Sequence, residues 1–286
     1  MKLYLLSMAI SKAIYRAKYI CTVVAVTGSV VATGYTCNQI FKIAKVKSEM
    51  TTYEQINCSK ILFVRDATKK KSWRKRVLDI CFDDHVVSID DVNKMRTILE
   101  CNDNKQICAI IKSTGGNAYR SIDMMKIMGL HDNIHAFVPE YAYSAATIFT
   151  LACTTIYMGK YSSLSCTDVQ SIIKTNKNSY TSVNFPMLVQ YAEKQKGVEL
   201  ELLSSLFDAS KIYELQFNGV KKYLEFHRGD NVTDEQMENL LRYFASGNHL
   251  HEETITSKKL GKVLKLNRYI PKPIQSIYDQ MNNLYS

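Results

Sequence analysis

Short apolar runs alternate with helical patterns through the middle of this 286-residue chain, and this alternation constrains its fold more than any other feature. Residues 107–111, 134–138 and 154–158 form runs that are mostly or wholly apolar, which is typical of strands buried on both faces. Helical patterns lie between them, at about 118–128 and 144–153. Strands that alternate with helices predict an α/β fold around a largely parallel sheet.

The flanking segments extend this pattern in both directions. Before it, residues 60–65 are typical of a short strand, and residues 90–100 carry apolar positions at helical spacing. After it, residues 185–226 are helical in pattern throughout. The segment 233–236 reads Thr-Asp-Glu-Gln, a capping box that predicts the start of a helix, and Ser246-Gly247 predicts its end.

The net charge of +10 is concentrated at the N-terminus. Residues 1–76 contain 15 Lys or Arg and 3 Asp or Glu, whereas the remainder contains 22 and 24. A basic N-terminal segment before a nearly neutral body favours a membrane surface as the partner. We therefore expect no nucleic-acid binding.

Residues 19–41 contain no charged side chain. As a helix they would extend about 34 Å, enough to cross the hydrocarbon core of a bilayer. The sequence predicts a single-pass membrane anchor here, with an interfacial helix or a cleaved leader as alternatives. The eight cysteines show no C-x-x-C pair and no disulfide framework, so we expect the body of the protein to face the cytosol.

Ser144 lies where an apolar strand gives way to a helix. In the first turn of that helix, the N–H of Ala145 can point at a developing oxyanion. The Gly115-Gly116 turn lets a second piece of backbone approach closely, and two such donors stabilise a tetrahedral intermediate of acyl transfer. The alternative is that Ser144 only caps its helix.

A nucleophilic serine requires a base, and the base requires an orienting group. Among the six histidines, His249 and His251 lie in a loop that follows a predicted helix end. Asp168 lies in a polar loop, where it could equally cap a turn. A metal site at His249, His251 and Glu252 is not expected, because H-x-H supplies two ligands and no third is apparent.

Four segments carry a resemblance to a known family. They are Lys112-Ser-Thr-Gly-Gly116, Val138-Pro-Glu-Tyr-Ala-Tyr-Ser-Ala-Ala-Thr-Ile148, Leu164-Ser-Cys-Thr-Asp-Val-Gln170 and Ser246-Gly-Asn-His-Leu-His-Glu252. Through them, the chain resembles the serine dehydrogenase proteinase family, membrane-associated relatives of the Clp protease in the Clp/crotonase superfamily. The segments occur in the family's order and span roughly residues 60–265.

The resemblance implies a Clp/crotonase fold of repeated β-β-α units and a serine peptidase that acts through an acyl-enzyme. Ser144 would be the nucleophile, Asp168 the orienting carboxylate and His251 the general base. The oxyanion amides would come from Gly115, Gly116 and Ala145. It further implies a polypeptide substrate, a homo-oligomer, and neither a metal nor an organic cofactor. For such a base we expect Nε2 of the histidine within about 3 to 4 Å of the serine Oγ.

The resulting organisation has five parts: an N-terminal segment 1–18, the anchor 19–41, a juxtamembrane linker 42–59, the peptidase domain 60–265 and a tail 266–286.

Three alternatives stay open. Lys174 or Lys177 could replace the histidine as base, as in Clp-like membrane peptidases with a Ser–Lys dyad. The chain could be an inactive membrane-tethered scaffold, or a crotonase-type acyl-CoA enzyme. Ala146 stands where the family has glycine, and its methyl would constrain the turn if this position requires a positive φ.

Overall fold

The computed structural model describes residues 30–57, 59–66, 79–82, 89–102, 105–176, 179–194, 200–251 and 253–285. They belong to two compact units. One comprises the described residues within Met1–Asn57 and Pro273–Ser286, and the other those within Cys58–Lys272. Every residue of the candidate site lies in the second unit.

The helices and strands follow one another along the chain as α1 (Val30–Asn57), β1 (Ser59–Asp66), β2 (Asp79–Phe82), α2 (Ile89–Glu100), β3 (Gln106–Lys112), α3 (Ala118–Met128), β4 (Ile134–Val138), β5 (Tyr141–Ala142), α4 (Ala145–Leu151), β6 (Thr155–Met158), β7 (Ser163–Ser165), β8 (Gln170–Asn176), β9 (Ser179–Asn184), α5 (Phe185–Glu193), α6 (Leu200–Phe226), α7 (Asp234–Ala245), β10 (Thr254–Thr256), α8 (Ser257–Leu260) and α9 (Lys272–Tyr285).

A parallel sheet forms the centre of the second unit. Its described strands run in the order β2-β1-β3-β4-β6, and each neighbouring pair is parallel. In the central strand β3 the five residues between Gln106 and Lys112 are all buried, because helices cover both faces of such a sheet. The predicted α/β fold with a largely parallel sheet is therefore confirmed.

A second, smaller sheet has the order β10-β7-β5 among the described strands. Strand β5 pairs parallel with β7, and β10 pairs antiparallel with β7. Two strands of the large sheet, β4 and β6, are each followed directly by a strand of the small one, and β4, β5 and α4 together make a β-β-α unit. Strands β8 and β9 form a separate antiparallel hairpin.

The helices begin and end close to where the sequence predicts. Helix α3 starts after Asn117, whose side chain accepts a hydrogen bond from Arg120 N. Helix α7 carries the predicted capping box between Thr233 and Gln236. The region predicted as helical over 185–226 consists of two helices, α5 and α6.

The first unit contains α1 and most of α9. Gln280 Nε2 and Ser276 Oγ, both of α9, donate to Glu49 Oε2 of α1, with Ser276 at 3.3 Å. Helix α1 includes residues 30–41 of the predicted anchor and continues to Asn57 through the predicted linker. The segments 1–18 and 19–29 lie outside the described residues. Within the described ranges, no helix has both the length and the apolar character that crossing a bilayer requires.

Candidate active site

Ser144 lies at a sharp turn between β5 and α4. Its φ of 51° and ψ of −120° make it the single non-glycine residue with a positive φ among those described. Such a conformation costs about 1 to 3 kcal/mol and tends to occur at functional sites. Ser144 occupies the N-cap position, yet its side chain makes no capping hydrogen bond. The hydroxyl is thus not used for capping, the alternative that the sequence left open.

The strained turn is held by a second serine. Ser165 Oγ accepts a hydrogen bond from Ser144 N at 2.7 Å and donates to Cys166 O at 3.1 Å. Thr147 Oγ1, one turn into α4, donates to Ala142 O at 2.7 Å. The end of β7 therefore fixes the backbone of Ser144, and the first turn of α4 is tied to β5.

The Gly115-Gly116 turn passes against the backbone on either side of Ser144. A Cβ added to Gly115 would lie 2.8 Å from Tyr143 O and 2.9 Å from Ala145 N. These contacts are too short for any side chain. Both glycines also have left-handed φ angles, 109° and 149°, which glycine adopts without strain.

Two backbone N–H groups at this turn are available to a ligand. Gly115 N donates to Ser113 Oγ at 3.0 Å, so this amide has an internal partner. For the N–H groups of Gly116 and Ala145, no acceptor occurs among the described residues. Both residues line the same cavity as Ser144. Of the three residues predicted to stabilise an oxyanion, Gly116 and Ala145 present free donors.

Asp168 and His251 form a hydrogen-bonded pair although 83 residues separate them in sequence. His251 Nδ1 donates to Asp168 Oδ1 at 2.8 Å, and Gln170 Nε2 donates to Asp168 Oδ2. The aspartate side chain is 2% exposed and the imidazole 32%. A neutral imidazole that donates through Nδ1 has its lone pair on Nε2, so Nε2 of His251 can accept a proton.

The antiparallel pairing of β7 and β10 explains how these two residues meet. Thr254 pairs with Ser165, so the chain that follows β7 runs beside the chain that precedes β10. Asp168 lies three residues after Ser165, and His251 three residues before Thr254. The register of the small sheet therefore brings the two side chains together.

Further hydrogen bonds fix both loops. Thr167 N and Oγ1 both donate to Phe244 O, at 2.7 and 3.0 Å, so the Asp168 loop is held at the end of α7. Gly247, with a φ of 72°, ends that helix, and its carbonyl accepts from Asn184 Nδ2 at 2.6 Å. Asn184 thereby fixes the start of the loop that carries His251.

One cavity of about 420 Å³ is lined by Ser144, Asp168, His251 and the two free amides. No hydrogen bond joins Ser144 Oγ to His251 within the described residues. Ser144 Oγ and His251 Nε2, which we expected to lie close together, therefore form no hydrogen bond in this structure. Of the two lysine alternatives, Lys174 lies in β8 and Lys177 lies outside the described residues.

The Cys166 thiol near Asp168 is uncharged, and His249 does not share the partner of His251. Burial, followed by the charges of Asp168 and Glu253, raises the pKa of the Cys166 thiol to about 12, so this thiol is protonated at neutral pH. His249 Nδ1 lies 3.1 Å from Glu253 Oε2, so the two histidines of the H-x-H segment have different partners. The described ranges contain no cluster of three His, Cys, Asp or Glu suited to a metal ion.

Ala146 is completely buried in α4. Its φ is not positive, and its N–H donates to Tyr143 O at 2.9 Å. A methyl group at this position is therefore compatible with the turn.

Several functional contacts could not be recognised from the sequence: Ser165 on the Ser144 amide, Asn184 on Gly247, and Gln216 in the cavity wall. Ser165 lies within one of the four quoted segments, whereas Asn184 and Gln216 lie outside all of them.

Comparison with known proteins gives structural neighbours alone. No protein-family model matches the chain, and no curated protein matches it. A serine mutant of the 1510-N membrane-bound stomatin-specific protease is similar at 13% identity and a TM-score of 0.42, over 78% of this chain and 86% of that one. A lysine mutant of the same protease, in complex with a substrate peptide, is similar at 14% identity and a TM-score of 0.40, over 74% and 76%.

ThnE from S. clavuligerus is similar at 9% identity and a TM-score of 0.36, over 70% of this chain and 78% of that one. Two of these three neighbours are forms of one membrane-bound protease. At these TM-scores the similarity carries no conclusion about function, which has to come from the geometry of the site.

Proposed function

We propose that this chain is a serine peptidase in which Ser144 is the nucleophile, His251 the general base and Asp168 its orienting carboxylate. The observation that carries the proposal is the Asp168–His251 hydrogen bond of 2.8 Å in the cavity that also contains the strained Ser144. A serine without a capping bond, an oriented imidazole and two unpaired amides are the parts that acyl transfer requires.

In the proposed reaction, substrate binding brings Ser144 Oγ within hydrogen-bond distance of His251 Nε2, since catalytic hydrogen bonds often tighten only in the complex. Nε2 takes the hydroxyl proton as Oγ attacks the peptide carbonyl carbon. The oxyanion accepts from the N–H groups of Gly116 and Ala145, each of which would contribute about 10²–10³ in kcat.

Collapse of the tetrahedral intermediate breaks the peptide C–N bond, and His251 gives its proton to the departing amine. Water then attacks the acyl-enzyme by the same route and regenerates Ser144. The buried Asp168 stabilises the imidazolium that forms in both steps. None of these steps requires a metal or an organic cofactor.

The proposal includes a Clp/crotonase-type fold, a polypeptide substrate, a homo-oligomer and a membrane anchor that leaves the catalytic unit in the cytosol. Support for the anchor comes from the uncharged segment 19–41 and the basic residues around it. Support for the fold comes from the β-β-α unit of β4, β5 and α4, which contains Ser144. Both the anchor and the fold are also what the family resemblance of the sequence implies.

Labelling by a fluorophosphonate probe tests the peptidase. The full chain, purified in mild detergent, should be labelled. Ser144→Ala should abolish the labelling, and His251→Ala should slow it at least about a hundredfold. Ser210→Ala, at an exposed serine of α6, is the matched control and should be labelled like the wild type. If the base is a lysine instead, Lys174→Ala would abolish labelling and His251→Ala would not.

A second candidate is an inactive scaffold with the same fold. The missing hydrogen bond between Ser144 Oγ and His251 favours it, because a triad that never closes would have no activity. A folded, oligomeric preparation that the probe does not label, with or without a peptide ligand, would select the scaffold over the peptidase.

A further inference from the structure

The β8–β9 hairpin begins and ends at residues that contact the two loops of the Asp168–His251 pair. Gln170 is the first residue of β8, and its Nε2 donates a hydrogen bond to Asp168 Oδ2. Asn184 is the last residue of β9, and its Nδ2 donates to Gly247 O at 2.6 Å. Gly247 lies four residues before His251. Each end of the hairpin therefore contacts one of the two loops that carry the pair.

These two hairpin residues are also directly opposite each other. Gln170 and Asn184 are partners in the antiparallel register of β8 and β9. Opposite residues of such a pair lie on one face, with their Cβ atoms about 4.5 to 5.5 Å apart. The base of the hairpin thus connects the Asp168 loop to the His251 loop by a route that is separate from the Asp168–His251 hydrogen bond.

Asn184 is well fixed for such a connection. Its residue is 7% exposed, and its Oδ1 accepts from Met187 N at 3.0 Å as the N-cap of α5. The carboxamide is therefore hydrogen-bonded through both its oxygen and its nitrogen. Asn184 is not among the described residues that line the cavity. Any effect of this side chain on the reaction must therefore pass through the residues that it holds.

We propose that Gln170 and Asn184 are two positioning residues, here called the hairpin bracket, which keep Asp168 and His251 hydrogen-bonded during the reaction. The inference rests on the proposed peptidase function. No hydrogen bond joins Ser144 Oγ to His251 within the described residues, so the imidazole has to approach the serine when substrate binds. The bracket holds the carboxylate and the start of the His251 loop during that approach.

A second set of contacts holds the Asp168 loop by its backbone. Thr167 N and Oγ1 donate to Phe244 O, one residue before Asp168, and leave the carboxylate free to rotate about its side-chain bonds. His251 Nδ1 takes Oδ1, and within the described part of the chain Gln170 is the residue that donates to Oδ2. The bracket therefore contributes what the backbone contacts do not, a fixed rotation of the carboxylate.

The test measures how the rate of fluorophosphonate labelling depends on probe concentration. Asn184→Asp keeps the cap of α5, since aspartate caps helices as well as asparagine does, and it removes the donor to Gly247 O. The maximal labelling rate should fall at least about tenfold, because small misplacements of catalytic groups are this costly. The probe concentration that gives half of the maximal rate should stay within about twofold of the wild-type value. Asn184→Ser, which also caps but is too short to reach Gly247, serves if the aspartate variant does not fold.

A double variant tests whether the two residues act as one bracket. Gln170→Leu, which removes the donor to Asp168 Oδ2, should also lower the maximal labelling rate. Both substitutions weaken the same Asp168–His251 contact, so Gln170→Leu combined with Asn184→Asp should be at most about threefold slower than the slower single variant. Slowing that equals the product of the two single effects would mean independent contacts and would overturn the bracket.

Asn102→Asp is the matched control, because Asn102 Nδ2 donates to Ile98 O at 2.7 Å just after α2, and it should be labelled like the wild type. In protein labelled with 15N-histidine, the Nδ1 proton of His251 should exchange with water faster in Asn184→Asp than in the wild type or the control. A lower stability alone would not lower the labelling rate of a folded variant. A folded Asn184→Asp protein with the wild-type maximal rate would overturn the bracket alone, whereas a wild type that the probe does not label would overturn the peptidase itself.

Discussion

Asp168→Asn should slow the reaction of Ser144 without unfolding the chain. The substitution keeps the volume of a side chain that is 2% exposed. The new amide oxygen can still accept from His251 Nδ1, and the carboxamide of Gln170 can turn over so that its oxygen accepts from the new NH2 group. The hydrogen-bond pattern can thus be retained, and the change reduces to the loss of one negative charge.

The size of the effect follows from the 2.8 Å between Asp168 Oδ1 and His251 Nδ1. At that separation a carboxylate stabilises an imidazolium by about 6 kcal/mol at an effective dielectric constant of 20, and by about 1.5 kcal/mol in bulk water. Because the aspartate is buried and the imidazole 32% exposed, an intermediate value of about 3 kcal/mol applies. This corresponds to a rate about a hundredfold lower.

The assay is the pseudo-first-order rate of fluorophosphonate labelling at pH 7.5, alongside the thermal unfolding midpoint. Asp230→Asn is the matched control, because Asp230 is exposed and pairs with Lys265, and it should be labelled at the wild-type rate. A folded Asp168→Asn protein that is labelled within about threefold of the wild-type rate would refute the role assigned to Asp168.

Three further predictions concern the surroundings of the site. Gly115→Ala should lower the free energy of unfolding, measured by urea titration, by about 2 kcal/mol or more, because a Cβ at a φ of 109° would clash with backbone on both sides of Ser144. As a control, Gly261→Ala should lower it by less, because the nearest contact of the added Cβ is with a flexible arginine side chain. Iodoacetamide at pH 8 should modify the exposed Cys101 and leave Cys166 unmodified, since burial and two nearby carboxylates raise the pKa of Cys166 to about 12; equal modification in the mass spectrum would contradict this. Burial lowers the pKa of His227 in the folded chain, so its imidazole binds a proton more readily when the chain is unfolded. The free energy of unfolding should therefore fall as the pH drops below about 6.5, by at most about 1.4 kcal/mol per pH unit. His227→Gln should reduce that slope in urea titrations at pH 7 and 5.5, and an unchanged slope would count against it.

The regular elements of the fold are predictable because their signal is local. Helix α3 has the bounds that its apolar spacing indicates, and β4 matches the apolar run 134–138. The small sheet is different. Strand β5 has two residues and β10 has three, too few to show any periodicity, so neither could be found from the sequence.

The same distinction between local and long-range signals applies to the residues of the candidate site. Ser144 and the two glycines stand next to strand and helix patterns, which makes them visible as candidates for acyl transfer. The pairing of Asp168 with His251 depends on the register of β7 and β10, a long-range contact without a local pattern, and only the family resemblance pointed to it. The role of Ser165 on the amide of Ser144 is equally a product of tertiary structure.

The site at which a fluorophosphonate attaches tests the central claim most directly. The full chain is labelled to completion, digested, and analysed by tandem mass spectrometry. The account predicts one adduct, on Ser144, and its disappearance on prior boiling of the protein. An adduct confined to another serine, or a folded chain that carries none, would contradict the assignment of Ser144 as the nucleophile.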